Sequence, residues 1–401
     1  MTVRINKQPF NLREKLSELE RPIGLKGSEL MRSETVQEAR DLVSAGRKNL
    51  VINGSMSIAQ RGVGPVTVTN NTYQTVDRFK TWINYNSGTV QVSQDSDAPS
   101  GFTKSLKYTS SATTAQYHIL SQIIEANNLS HIKAGTSDAL PLTISFWVKS
   151  NKTGNFNFEI VDDDTSHHIV KQYTINTSGQ WEYKSIFIPP NTSGGVMTID
   201  NTIGYELFWF LGSSTSYSGT ALTDNWASFL TTRRNTGGNV TLDSGDYWQI
   251  TGVQLEVGRN ATDFEHRSYG EELLLCQRYF YKLGGEVSSP YSNGLVLPLH
   301  QSSNGYYFVS GMFPVEMRTS PTISKNFGTS DYTTSTPSSG NQWNLRDWYV
   351  TNRSLGTADF APERYGRMWT FKLGTVSGGT TASVLYIGTN SNAHFQFNAE
   401  L

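Results

Sequence analysis

From Asn49 to about Ser268 the chain reads as short apolar-polar alternations separated by clusters of Gly, Ser, Asn and Thr. That spacing predicts a succession of strands closing a β-sandwich or jelly roll. The cleanest strand is TISFWVKS (143 to 150), where Ile144, Phe146 and Val148 alternate with Ser145, Trp147 and Lys149; one face is expected to be buried. GYELFWFLGS (204 to 213) is apolar on both parities. It is either a central strand covered twice or a strand presenting Tyr205 and Trp209, or Phe208 and Phe210, outward. In WQITGVQLEV (248 to 257) the apolar phase flips, from Trp248 and Ile250 to Val253, Leu255 and Val257. One face stays buried only if an extra residue is inserted, which predicts a bulge near Thr251 and Gly252. After Gly258 the chain leaves the sheet. Phe264 is expected to insert back into the rim, with Glu265, His266 and Arg267 in local polar contacts.

Only the first fifty residues carry a helical period. Asn11 can cap a short helix with Glu14 three positions on, and Leu12, Leu16 and Leu19 share a face before Pro22. A second candidate begins near Ser33 or Thr35, places Val36, Ala39, Leu42 and Val43 on one stripe and ends at Gly46. Both are too short to fold alone and must pack on something, either the following domain or another protein. EELLLCQRYFYKL (271 to 283) fits a helical turn or a strand. Beyond it, YYFVS, MFPVEM, RMWTFKL, SVLYIG and the terminal HFQFNAEL read as strands, with a long loop over about 326 to 345. The fold class is therefore mainly β, with an N-terminal short-helix segment, a jelly-roll β-sandwich and a C-terminal β-sandwich-like domain.

Charge changes this picture by exclusion. With 33 basic and 34 acidic residues, nothing global draws the chain to nucleic acid or an anionic membrane. MTVRINKQPFNLREKL lacks a signal-peptide core and no run of about 18 apolar residues follows, so no membrane insertion and no secretory export are expected. The single cysteine, Cys276, rules out an intrachain disulfide, and its apolar surroundings suggest an inert buried thiol.

Candidate chemistry is sparse. Asp162, Asp163 and Asp164 beside His167 and His168 could ligate a divalent ion, but Asp between strand-like flanks favours a hairpin turn, and no metal or other cofactor is expected. Asp243 and Asp246 in LDSGDYW carry the same two readings. There is no G-x-S-x-G motif and no phosphate-loop pattern, so no enzymatic activity is expected. Sugar binding is easier to support, because 12% of the residues are aromatic and aromatic faces stack on pyranose rings. Trp147, Trp209, Trp226, Trp343, Trp348 and Tyr349, with Arg346 alongside, are candidate glycan contacts.

Several phrases carry a family resemblance: NLVINGSMSIAQRG (49 to 62), TVDRFKTW (75 to 82), GFTKSLKY (101 to 108), SFWVKS (145 to 150) and WQITGVQLEVGRNATDFEHRSYGEELLLCQRYFYKL (248 to 283). In these the chain resembles virion fibre proteins of tailed bacteriophages, especially marine and cyanobacterial ones. The resemblance implies a carbohydrate-binding-module-like jelly roll over 48 to 270, of which FEHRS is the exit. INKQPFNLREKLSELERPIGLKGSEL (5 to 30) is similar to a phage leader, which implies that residues 1 to 47 attach to other virion tail or neck proteins through Phe10, Leu12, Leu16 and Leu19. FPVEMRTSPTI (313 to 323) and the terminal AEL are similar to distal domains of trimeric fibres. This implies a distal β-domain over 271 to 401, a homotrimer, and a strand of Phe395 and Phe397 that lies near the three-fold axis or completes its own sheet. The expected role is a virion tail fibre, assembled in the host cytoplasm, that attaches to host surface polysaccharide. The alternatives are a structural head, neck or collar fibre or decoration protein and, at the margin, a glycan depolymerase. The chain has no collagen-like or heptad shaft.

Overall fold

The computed structural model describes residues 47–69, 71–111, 114–222, 224–238, 240–284, 295–301, 306–325, 368–375, 384–387 and 394–401. The helical segments expected before Gly46, with Phe10, Leu12, Leu16 and Leu19, lie outside the described residues, as do the loop expected over 326 to 345 and Trp343, Arg346, Trp348 and Tyr349.

Thirteen strands build the jelly roll: β1 (Val66–Val68), β2 (Thr72–Tyr73), β3 (Phe79–Ser87), β4 (Val90–Asp95), β5 (Ser105–Ser110), β6 (Thr114–Glu125), β7 (Leu142–Ser150), β8 (Gly154–Asp162), β9 (His167–Ile175), β10 (Glu182–Ile188), β11 (Ile203–Ser213), β12 (Ala227–Ser228) and β13 (Tyr247–Val257). They form a six-stranded sheet, β1-β4-β5-β13-β7-β10, and a seven-stranded sheet, β12-β9-β8-β11-β6-β3-β2. The inner faces close on one apolar core. Phe146 and Val148 of β7 and Trp248 and Ile250 of β13 meet Leu120, Phe158 and Trp209 from the other sheet. Each such side chain, fully removed from water, contributes roughly 1.5 to 3 kcal/mol before entropy is counted. The alternation of TISFWVKS is kept: Ile144, Phe146 and Val148 have no exposed surface.

The phase flip in β13 is resolved by a bulge. Its register against β7 slips between Thr251 and Gln254, and Gly252 takes φ 62°, the left-handed region that favours glycine. Trp248, Ile250, Val253 and Leu255 are all fully buried as a result. A Cβ at Gly252 would also lie 2.7 Å from Cζ of Phe102, so two independent constraints require glycine.

The polar exit is more than local. The Glu265 carboxylate accepts the amides of Lys48 (2.5 Å) and Asn49 (2.7 Å). Arg267 donates to the carbonyls of Asn49 and Val51. Phe264 packs edge-on against Phe102, with ring centroids 5.0 Å apart. FEHRS thus staples the end of the jelly roll to its beginning, more than 200 residues away in sequence.

Residues 271 to 283 use both of the forms their sequence allowed. Helix α1 (Tyr269–Gln277) is capped by Ser268, whose Oγ accepts the Glu271 amide; strand β14 (Phe280–Gly284) follows. The remaining strands are β15 (Leu295–Gln301), β16 (Tyr306–Met312), β17 (Thr322–Lys325), β18 (Met368–Thr375), β19 (Val384–Ile387) and β20 (His394–Asn398). They form the sheets β14-β20-β17 and β18-β16-β15-β19. MFPVEM is not a strand: β16 ends at Met312 and a bend follows. Pro314 has no N–H to give a ladder. The strand of Phe395 and Phe397 is the centre of its own three-stranded sheet.

This small sheet and α1 are packed onto the jelly roll. Cys276 and Tyr279 bury against Ile52 and Ile58, and burial pushes the Cys276 thiol pKa well up, which keeps it protonated. Arg78, 1% exposed, pairs with Glu400 and lies 3.5 Å over the Tyr279 ring. Arg278 grips Glu125 at 2.6 Å. Removing one member of the buried Arg78–Glu400 pair costs about 3 to 5 kcal/mol, because the other charge is left uncompensated. Among the described residues, no helix is long and apolar enough to cross a membrane.

Candidate functional site

Strand pleating decides what the outer face of the seven-stranded sheet presents. In β11, Tyr205, Leu207, Trp209 and Leu211 join the core, so Glu206, Phe208 and Phe210 point the other way. The register aligns their neighbours into rows across the sheet. Trp82 of β3 lies opposite Ile119 of β6, and Ile119 opposite Phe210. In the next row Lys80, Ser121, Phe208 and Glu159 run from β3 to β8, and beyond it Glu206 lies opposite Val161. The sheet therefore carries an aromatic floor with carboxyls set into it.

The chain between β11 and β13 folds back over this floor as a wall. It is held by short backbone bonds, from the Phe229 amide to the Ser166 carbonyl (2.7 Å) and from the Asn235 amide to the Tyr217 carbonyl (2.8 Å). Tyr217, Phe229 and Arg234 of the wall face Trp82, Tyr117 and Phe208 across a half-open cleft of about 410 Å3. That volume suits one or two sugar rings or another small ligand.

Fixed geometry underlies the cleft. The Trp82 indole donates to Ser121 Oγ at 2.7 Å and its ring lies 4.1 Å from the Lys80 ammonium. Arg234 Nε donates to Glu159 at 2.8 Å, while the guanidinium stacks within 4.6 to 5.3 Å of the Phe208, Phe210 and Phe229 ring centres. Glu159 is fully buried, and its other oxygen bonds to His168 Nδ1 at 2.7 Å. Asp163 and Glu206 supply the other charges in the lining. Burial, seconded by Asp163, raises the Glu206 pKa to about 7, with Arg234 and Lys80 opposing. Near neutrality this carboxyl therefore exists in both forms, able to donate and to accept. Aromatic faces, a braced guanidinium and carboxyls around one cleft suit a ligand that is apolar on its ring faces and hydroxylated at its edges.

The sequence candidates fall mostly elsewhere. Trp209 is the centre of the core, 5.0 Å from Phe158 and 6.0 Å from Phe146, and has no exposed surface; its parity is the inward one, so it has no ring face to give a sugar. Trp226 is half-buried, stacks on Tyr205 and donates to the Pro189 carbonyl. Trp147 lies on the opposite face of the sandwich, beside Tyr183. The aspartate run forms a hairpin turn between β8 and β9. Asp162 accepts from Thr165 and Asn191, Asp164 accepts from Thr198, and Asp163 enters the cleft. Asp243 and Asp246 share the Lys152 ammonium at 2.7 and 2.8 Å. Among the described residues, no group of three or more His, Cys, Asp or Glu side chains is placed to hold a metal.

Trp82, Tyr117, Glu206, Tyr217, Phe229 and Arg234 were not singled out from sequence. One signal was present: a strand apolar on both parities with a single in-phase carboxylate, Glu206, marks a covered outer face. Tyr217, Phe229 and Arg234 sit in an irregular excursion with no period to read.

No family model matches the chain, and no curated protein matches it in sequence. Solved structures similar to it include the enzymatically active domain of tailspike protein 4 of bacteriophage CBA120, at 12% identity over 52% of this chain and a TM-score of 0.30. This chain spans 21% of that one. A family 11 carbohydrate-binding module of Clostridium thermocellum, solved with a β-1,3-1,4-mixed-linked tetrasaccharide, matches at 15% identity over 50% of this chain and 99% of its own, with a TM-score of 0.26. A xylan-binding module of Paenibacillus barcinonensis matches at 17% identity over 45% of this chain and 92% of its own, also with a TM-score of 0.26. At such scores neither a ligand nor a binding residue transfers from one chain to another.

Proposed function

We propose that this protein is a non-enzymatic component of a phage virion fibre that binds cell-surface glycan in the cleft on its seven-stranded sheet. The observation that carries the reading is the convergence of Trp82, Phe208, Tyr217 and Phe229 with Arg234 and Glu206 in one half-open cleft. Aromatic floors with a few fixed polar groups are how protein surfaces hold pyranose rings. The virion assignment draws on the sequence phrases resembling phage fibres, and with it come attachment to tail or neck proteins and a homotrimer. Weak single-site contacts would then add through effective concentration when several copies face a repeated polysaccharide.

A second reading, a fibre or decoration component that contacts only other virion proteins, draws on β10. This edge strand exposes Tyr183 and Phe187, and exposed aromatics on an edge favour protein contact. Binding of the purified full chain to intact host cells and to their isolated polysaccharide separates the two. Saturable binding to both supports the glycan reading, and none by a correctly assembled oligomer supports the structural one. Release of new reducing ends in the same assay would instead support a glycan depolymerase.

A further inference from the structure

We propose that the cleft selects uncharged, hydroxyl-rich glycans and excludes those bearing uronate or sulfate groups, with Glu206 and Asp163 as its specificity-determining residues. The inference rests on the glycan reading above and adds the ligand's charge class to it.

Among the residues lining the cleft, the cation is Arg234 and the anions are Asp163 and Glu206. Arg234 is already committed: Nε is bonded to the fully buried Glu159, whose charge offsets that of the guanidinium. Its place among the rings of Phe208, Phe210 and Phe229 fixes the fork in one orientation. Lys80, whose ammonium lies 4.1 Å from the Trp82 ring centre, acts on Glu206 but does not line the cleft. A uronate or sulfate would therefore enter a half-enclosed aromatic site with two carboxyls and, among the described residues, no unmatched cation in its lining. Like charges brought together at a recognition site cost several kcal/mol. A neutral sugar meets the same groups favourably, because its hydroxyls donate to carboxylates and accept from a guanidinium.

The charged groups acting on Glu206 are Asp163 from the β8–β9 turn, Glu159 from β8, Lys80 from β3 and Arg234 from the wall, while β6 sets the apolar Ile123 opposite it. Since burial holds this carboxyl near pH 7, exclusion should deepen as the pH rises through neutrality and Glu206 takes up its charge.

The test uses the full chain and a panel of neutral polysaccharides, each paired with its carboxymethylated form, at pH 5.5 and 8.5. Expected is at least about tenfold tighter binding of the neutral member at pH 8.5, narrowing at pH 5.5. Glu206→Gln should shrink that ratio at pH 8.5 and flatten its pH dependence. Asp163→Asn, at an exposed turn where folding is not at risk, should shrink it as well. Equal or tighter binding of the carboxymethylated member by the wild-type protein at pH 8.5 would overturn the selectivity while leaving glycan binding intact. Binding to no member of the panel would overturn the glycan reading and the selectivity together.

Discussion

The outer faces of the two sheets are built from the same alternation and end in opposite conditions. On the six-stranded sheet, Gln249, Thr251, Gln254 and Glu256 point away from the core yet are 0 to 2% exposed. The exit segment lies on this face and engages two of them: Thr262 N and Gln254 Nε2 both donate to Glu256 Oε1, at 2.9 and 2.8 Å, and Glu265 N donates to Gln254 Oε1 at 2.8 Å, while Gln249 bonds to Ser105 and Thr251 to the Ser55 carbonyl. On the seven-stranded sheet the outward residues are Trp82, Phe208, Phe210 and Glu206, and the excursion after β11 walls them without filling the space. Polar side chains under a returning loop make a closure. On the aromatic face the wall buries Phe208 and Phe210 to 4% and 1% exposure but stops short of Trp82 and Tyr117, which leaves the cleft.

Three changes should separate core, closure and cleft. The largest effect belongs to Trp209→Ala, which empties the core between the faces; about 3 to 5 kcal/mol of stability should be lost in urea unfolding. Glu256→Ala takes the acceptor from the Thr262 amide and hydroxyl, while Gln254 Nε2 keeps the Thr262 and Asp263 carbonyls. It should cost about 2 to 3 kcal/mol by the same measurement while leaving glycan affinity unchanged, since it lies on the other face. The smallest concerns Glu206. Its folded pKa is raised from 4.5 to about 7, so the folded state holds the proton more tightly than the unfolded chain. The stability this linkage adds is full below about pH 4.5 and is lost as the pH rises through about 7. Glu206→Gln should remove that decline, gaining on the wild type by about 2 kcal/mol or less between pH 4.5 and 8.5 in thermal or urea melts.

Much of the closure could be read in the sequence, and little of the cleft. The parity flip from Ile250 to Val253 demanded an inserted residue, because side-chain alternation allows only one buried face. The Ser-Tyr-Gly-Glu-Glu order after Arg267 carries its own cap and first-turn acids. The contacts of Glu265 and Arg267 with residues 48 to 51 were not visible, because hydrogen bonds across more than 200 residues have no period. Trp209 illustrates the main difficulty. A strand apolar on both parities does not reveal which parity faces the core, and the larger ring proved to be the inward one. Only the tertiary packing of the two sheets assigns Phe208 and Phe210 to the outer face. Arg234 was beyond reach for another reason: its role comes from an irregular wall whose position no local propensity encodes.

The central claim is that one outer face binds and the other does not. Isothermal titration of the wild type, Trp82→Ala and Trp147→Ala with the polysaccharide the wild type binds tests it most directly, since the two tryptophans stand on opposite faces. Loss of a stacking ring costs about 1 to 2 kcal/mol, so Trp82→Ala should weaken binding about fivefold to thirtyfold while Trp147→Ala stays at the wild-type value. Unchanged affinity in Trp82→Ala with loss in Trp147→Ala would contradict the account and move the site to the six-stranded sheet.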